Sequence, residues 1–89
     1  MDSLVLIVEF FGTFLLLLSF LASGNAFVIG ATLALVVFLT GGISGGHVNP
    51  AVSLTMWVSG AITFVEFLAY ITAQYAGGVA AYYAYTTLR

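Results

Sequence analysis

The fold of this 89-residue chain depends on residues 44–53, which read Ser44-Gly45-Gly46-His47-Val48-Asn49-Pro50-Ala51-Val52-Ser53. Asparagine is among the best helix N-caps and proline is favoured at the first helical position, so Asn49-Pro50 predicts a helix start. Glycine fills four of the six positions 41–46, where no regular helix is expected. The helix that begins at Pro50 is short, because Ser59-Gly60 ends it after Val58.

Three longer apolar runs surround this short helix. They are Leu4 to Ala22, Ala26 to Leu39 with Thr40 as an extension, and Ala61 to Leu88, with Arg89 as its expected cap. At 1.5 Å per residue the first run is about 28 Å long, close to the bilayer's hydrocarbon thickness of about 30 Å. We therefore predict an all-α membrane protein with three transmembrane helices and one re-entrant half-helix, in one domain over residues 1–89.

The composition indicates that lipid surrounds the chain. Hydrophobic residues make up 63% of it and charged residues 4%, whereas a soluble domain carries about 25% charged residues. A single Lys or Arg excludes a nucleic-acid partner, and the lack of cysteine excludes disulfides and thiol catalysis. The sequence has no phosphate-binding loop, no nucleophile–base pair and no metal-ligating cluster, so we predict no enzyme activity, no cofactor and no metal.

Residues 41–60 have an alternative interpretation as an ordinary loop outside the membrane. A solvated loop normally carries charges, however, and residues 40–60 contain none. In the re-entrant form, glycine carbonyls face a cavity, while the Asn49 amide and the positive end of the half-helix dipole lie at its tip. Such a site favours a neutral solute that both donates and accepts hydrogen bonds, and it disfavours a cation.

Three motifs resemble the aquaporin and glycerol-facilitator (major intrinsic protein) family. Residues 44–53 resemble the family's first Asn-Pro-Ala loop. The stretch Glu9-Phe10-Phe11-Gly12-Thr13-Phe14 is similar to the Glu-Phe-x-Gly-Thr of its first helix. The stretch Tyr70-Ile71-Thr72-Ala73-Gln74-Tyr75-Ala76-Gly77-Gly78 is similar to the Tyr-x-x-Ala-Gln-x-x-Gly-Ala of its third helix. The motifs occur in the family's order and extend over nearly the whole chain.

The resemblance implies that seven residues line a pore, namely Asn49, Pro50, Ala51, Gly45, Gly46, His47 and Ile29. Asn49 is implied to donate hydrogen bonds to the solute, and the carbonyls of the glycines and of the histidine to accept them. The proline and the alanine are implied to pack against a partner half-helix. Ile29 is implied to stand at the constriction on the second helix, where water-selective members of the family tend to have an aromatic residue. A pH gate is the alternative role of His47.

Five further residues are expected to support the structure, namely Glu9, Gln74, Gly12, Gly30 and Gly77. Glu9 is expected to accept N–H groups of the re-entrant loop, with a proton relay as the alternative. Gln74 is expected to form an interhelical hydrogen bond, and the glycines to permit close helix crossings. Tyr70 is among the aromatic residues expected to mark a membrane interface.

The chain resembles only one of the family's two inverted repeats. Our preferred interpretation is that two copies insert in opposite orientations. Together they would form a passive channel for water or small neutral solutes such as glycerol. With one Lys or Arg, the charge bias that fixes orientation is nearly absent. The alternatives are a non-conducting fragment or packing subunit, and a small dual-topology exporter that couples protons through Glu9. We expect an integral multi-pass membrane protein whose partners are the bilayer, the solute and further copies of itself.

Overall fold

A computed structural model of the protein describes residues 1–88. It contains four helices, α1 (Ser3–Ser23), α2 (Ala26–Thr40), α3 (Pro50–Val58) and α4 (Phe64–Leu88). The described residues contain no strand, so the all-α prediction is confirmed. Arg89, the expected cap of the last helix, lies outside the described residues.

The first three helices begin where the sequence places a polar side chain before an apolar run. The carboxylate of Asp2 accepts the amide of Leu4, and the side chain of Asn25 accepts the first amides of α2. Asn49 accepts the amide of Ala51 at 2.8 Å. These bonds satisfy amide groups that have no partner within the first turn of a helix.

The last helix begins three residues later than the apolar run that predicts it. The Thr63 amide donates to Glu66 Oε1 at 2.8 Å, and the Glu66 amide donates to Thr63 Oγ1 at 3.1 Å. This reciprocal capping box fixes the start of α4 at Phe64. The predicted start at Ala61 is therefore wrong, because Ala61 belongs to the turn after α3.

The long helix α1 is central to the fold. It packs against both α2 and α4, and the half-helix α3 packs against α4. At the crossing of α1 and α4, a Cβ atom on Gly77 would fall on the carbonyl oxygen of Phe10. A Cβ atom on Gly12 would lie 2.9 Å from Val48 Cγ1 and 3.0 Å from Val36 Cγ1. Both glycines therefore permit the close approach that the sequence predicts.

Gly30 differs from these two glycines. Nothing lies within 4 Å of the position that its Cβ atom would take, so it supports no helix crossing within the described chain. Its helix α2 packs on α1 and leaves much of its apolar surface open, with Phe27 88% and Phe38 83% exposed. A chain with so much exposed apolar surface fits lipid better than water.

Among the described residues, one helix is both long and apolar enough to cross a bilayer, namely Ser3–Ser23 with its 21 residues. Ala26–Thr40 is apolar but has only 15 residues. The predicted number of three transmembrane helices is therefore supported for α1, and it stays a prediction for α2 and α4.

Candidate functional site

The loop between α2 and α3 folds back along α2. The amides of Ile43 and Ser44 both donate to the Thr40 carbonyl and form a turn. After the turn, Gly46 comes so close to α2 that a Cβ atom on it would lie 3.2 Å from Val37 Cα. Gly46 also has a φ of +64°, which L side chains rarely adopt, so the backward turn depends on glycine here.

Val48 holds a backbone conformation that is uncommon for its residue type. Its φ is +42°, in the left-handed region that β-branched residues avoid. Such strain persists only where the surroundings fix it. The Val48 amide donates to Glu9 Oε1 at 2.9 Å, and the side chain is buried against Gly12. The side chains of α1 therefore hold the loop in shape directly before Asn49.

The carboxylate of Glu9 is the anchor of this loop. It is fully buried and accepts hydrogen bonds from four donors. Oε2 accepts from the hydroxyl of Ser44 at 2.6 Å and from the His47 amide at 3.0 Å. Oε1 accepts from the Val48 amide at 2.9 Å and from Gln74 Nε2 at 3.0 Å. These contacts agree with the role in loop support that the sequence predicts for Glu9.

Gln74 extends the same network from α4 to α3. Its amide nitrogen Nε2 donates to Ser53 Oγ at 2.9 Å as well as to Glu9. Ser53 Oγ in turn lies 2.9 Å from His47 Nδ1. Gln74 thus forms the interhelical hydrogen bond that was expected of it. Its Oε1 and Thr13 Oγ1 are buried without a hydrogen-bond partner in the described part of the chain.

Tyr70 holds the loop from the side of α4. Its hydroxyl donates to the carbonyl of Ser44 at 2.6 Å, and its ring stacks on the imidazole of His47 with centroids 4.2 Å apart. The side chain is buried inside the bundle, and the expected position of Tyr70 at a membrane interface stays a prediction. The ring is needed inside the bundle, because it covers one face of the only histidine.

The predicted acceptors and the predicted donor are both free in the loop. No described residue donates a hydrogen bond to the carbonyls of Gly45, Gly46 or His47. The side chain of Asn49 is exposed, and its Oδ1 accepts the Ala51 amide. The Nδ2 group takes no part in this bond and remains available as a donor. This arrangement offers several acceptors and one amide donor within five residues.

A groove of about 420 Å³ lies beside Asn49 and Pro50, between α1 and α4. Its walls are mostly apolar, with Leu16 on α1 and Val79 on α4 among them, while Asn49 supplies polar atoms at the loop tip. Apolar walls with few polar groups are typical of small-molecule sites. Pro50 is half-buried and Ala51 is exposed, so the start of α3 is accessible from outside the chain.

The structure does not bring Ile29 to this groove. Ile29 lies in the first turn of α2, whereas the loop approaches α2 at Val37 and Thr40 near its other end. Eight residues separate Ile29 from Val37, which is about 12 Å along a helix. The implied constriction at Ile29 therefore stays a prediction.

Three residues of the network carry roles that the sequence does not predict. Ser44 and Ser53 flank the Asn-Pro pair at short distance, and Tyr70 begins the third motif. Small polar residues in an otherwise apolar chain are a signal, because a buried hydroxyl needs a partner. The signal does not name that partner: Ser44 binds Glu9, 35 positions away, and Ser53 binds His47, 6 positions away.

The chain is similar in sequence to known proteins. The family described as Major intrinsic protein matches residues 21–88. The chain is 42% identical over 57 residues to the probable aquaporin PIP2-7 of Oryza sativa subsp. japonica, which is 64% of this chain and 20% of that protein. It is 43% identical over 63 residues to the propanediol uptake facilitator PduF of Salmonella typhimurium, and the match covers 66% of this chain and 24% of that protein.

A third relative is aquaporin Z of Photorhabdus laumondii, 40% identical over 58 residues, which are 65% of this chain and 25% of that protein. The matched part thus spans 20 to 25% of the length of these curated relatives. No solved structure matches the chain significantly. The family match extends over most of the chain and includes the loop, α3 and the network residues on α4, and the chain therefore belongs to the major intrinsic protein family.

Proposed function

We propose that this chain supplies one half of a passive pore for water or small uncharged solutes. The observation that carries the proposal is the loop tip, where Asn49 lines an apolar groove and the carbonyls of residues 45–47, directly before it, accept no hydrogen bond within the described chain. Water and small polyols both donate and accept hydrogen bonds, so they match this pair of groups. The relatives named aquaporin and propanediol uptake facilitator support the same class of solute.

The second half of the pore is an inverted half-repeat, and a second copy of this chain provides it. The groove is open rather than enclosed, and the start of α3 at Pro50 and Ala51 is accessible from outside, so one chain does not enclose a passage. Pairing about an axis in the membrane plane brings the starts of two α3 helices together. It also covers backbone and side-chain polar groups that lipid cannot satisfy.

Glu9 has a structural role in this proposal. A proton-coupling carboxylate exchanges its proton with water or substrate, whereas Glu9 is fully buried and surrounded by four donors. These contacts favour the channel over the exporter. Uptake that requires a proton gradient and is lost in Glu9→Gln would identify the exporter instead.

Replacing the pore amide tests conduction. Asn49→Asp keeps an oxygen for the Ala51 amide, so the cap remains, but it removes the Nδ2 donors. We expect osmotic swelling of proteoliposomes by water or glycerol to slow by about tenfold, since one lost hydrogen bond of about 1.4 kcal/mol has that effect. The control is Asn25→Asp, which keeps the cap of α2 far from the loop and leaves swelling unchanged. Wild-type swelling no faster than that of bare lipid would refute the channel.

Inverted pairing is tested by fixing the orientation. Lysines in place of Ser59 and Ala61, in the turn after α3, are expected to fix one orientation, because cytoplasmic loops retain positive charge. Lysines in place of Ala22 and Ser23, at the end of α1, are expected to fix the other. Reporters fused at the C-terminus should find both orientations for the wild type. Each variant alone should not conduct, and co-expression of the two should restore swelling. A single orientation of a conducting wild type rules out inverted pairing.

A further inference from the structure

The hydrogen-bond network behind the loop fixes the tautomer of His47. The chain of contacts begins at the Glu9 carboxylate, which accepts hydrogen bonds from the backbone amides of His47 and Val48. A backbone N–H group can only donate, so both carboxylate oxygens act as acceptors here. The Gln74 group that faces it must therefore be the amide nitrogen, since an amide oxygen there would repel the carboxylate. Both hydrogens of Gln74 Nε2 are then assigned, one to Glu9 and the other to Ser53 Oγ.

Ser53 has one hydrogen left to place. Its side chain is fully buried, and its only other hydrogen-bond partner among the described residues is His47 Nδ1 at 2.9 Å. If Nδ1 carried the proton, Ser53 Oγ would accept twice and its own hydroxyl hydrogen would be buried without a partner. Such a hydroxyl is costly, so the Ser53 hydroxyl donates and Nδ1 accepts. A neutral imidazole with an accepting Nδ1 carries its proton on Nε2.

We propose that Ser53 is a positioning residue that holds His47 as the Nε2–H tautomer, so that the loop presents a second fixed donor, besides Asn49, to the oxygen of a passing solute. No described residue accepts a hydrogen bond from Nε2, which lies beside Gly45. Stacking on Tyr70 keeps the ring from turning. The solute contact rests on the proposed pore, whereas the tautomer follows from the network alone.

The tautomer is measurable because His47 is the only histidine. With ¹⁵N-histidine in detergent-solubilised full-length chain, long-range proton–nitrogen spectra should show one form, with a pyridine-type Nδ1 and a protonated Nε2. A protonated Nδ1, or an even mixture of tautomers, would overturn the proposal. This readout needs no variant and no transport, so it stays decisive even if the chain fails to conduct.

Substitution separates the positioning role from simple packing. Ser53→Ala removes the donor and should change the ratio of the two tautomers by about tenfold, the effect of one hydrogen bond. Thr55→Val is the matched control, because it removes an exposed hydroxyl of the same helix that binds only the Ala51 carbonyl. A change of equal size in both variants, or none in Ser53→Ala, contradicts the positioning role.

The solute contact has its own readout. Added glycerol should shift the Nε2 resonance of His47 and leave Nδ1 in place, since only Nε2 is free to donate. The indole nitrogen of Trp57, at the opposite end of α3, reports any bulk effect of glycerol on the sample. A shift of Nε2 no larger than that of Trp57, in a preparation that swells in glycerol, would refute the contact while leaving the pore intact.

Discussion

Replacing Glu9 by alanine is expected to release the loop that carries Asn49 and to cost about 3–5 kcal/mol of stability, the typical effect of removing one partner from a buried charged network. Four donors lose their acceptor at once, and two of them are the amides of His47 and Val48. We therefore expect a lower midpoint of thermal unfolding in detergent and much faster hydrogen exchange at these two amides.

The chain offers a matched control for this variant. Glu66 is also a carboxylate on an apolar helix, but it is only partly buried and its hydrogen-bond partner is Thr63, three residues away. Glu66→Ala should disturb the start of α4 and leave exchange at His47 and Val48 as it is in the wild type. Equal effects of Glu9→Ala and Glu66→Ala on these amides would show that the loop does not depend on Glu9.

Gly77→Ala is expected to separate α1 from α4, because its added methyl group falls on the carbonyl oxygen of Phe10. Backbone atoms cannot move aside as a flexible side chain does. The expected cost is about 1–3 kcal/mol, typical of overpacking, and it outweighs the gain of about 1 kcal/mol that alanine brings to a helix interior. Because Gln74 lies one turn before Gly77, we also expect weaker anchoring of the loop, which exchange at the His47 amide measures.

The neighbouring glycine is the control for this second prediction. A Cβ atom on Gly78 would lie 3.9 Å from Leu17 Cγ, which is an ordinary contact. Gly78→Ala should therefore be neutral or slightly stabilising, and Gly30→Ala should be so as well, since it faces open space. Equal losses of thermal stability in Gly77→Ala and Gly78→Ala would contradict the close crossing at Gly77.

Much of the local structure is predictable from the sequence, because it depends on residues that are neighbours in the chain. Asn49-Pro50 predicts the start of α3, and Ser59-Gly60 its end. The start of α4 is wrongly predicted at Ala61, although the capping box of Thr63 and Glu66 is written within four residues. At this helix start, a capping box of two polar side chains and two free amides predicts the first helical residue better than the length of the apolar run does.

The sequence by itself determined that this chain is all-helical, that its apolar surface suits a bilayer, and that one short helix follows a glycine-rich turn. Only the tertiary structure decided which groups meet. Glu9 binds partners 35 to 65 positions away, and Gly77 is a contact point while Gly30 is not. The physical reason is that caps and turns are closed by adjacent residues. The partner of a buried carboxylate, or the space beside a glycine, depends instead on how separate helices cross.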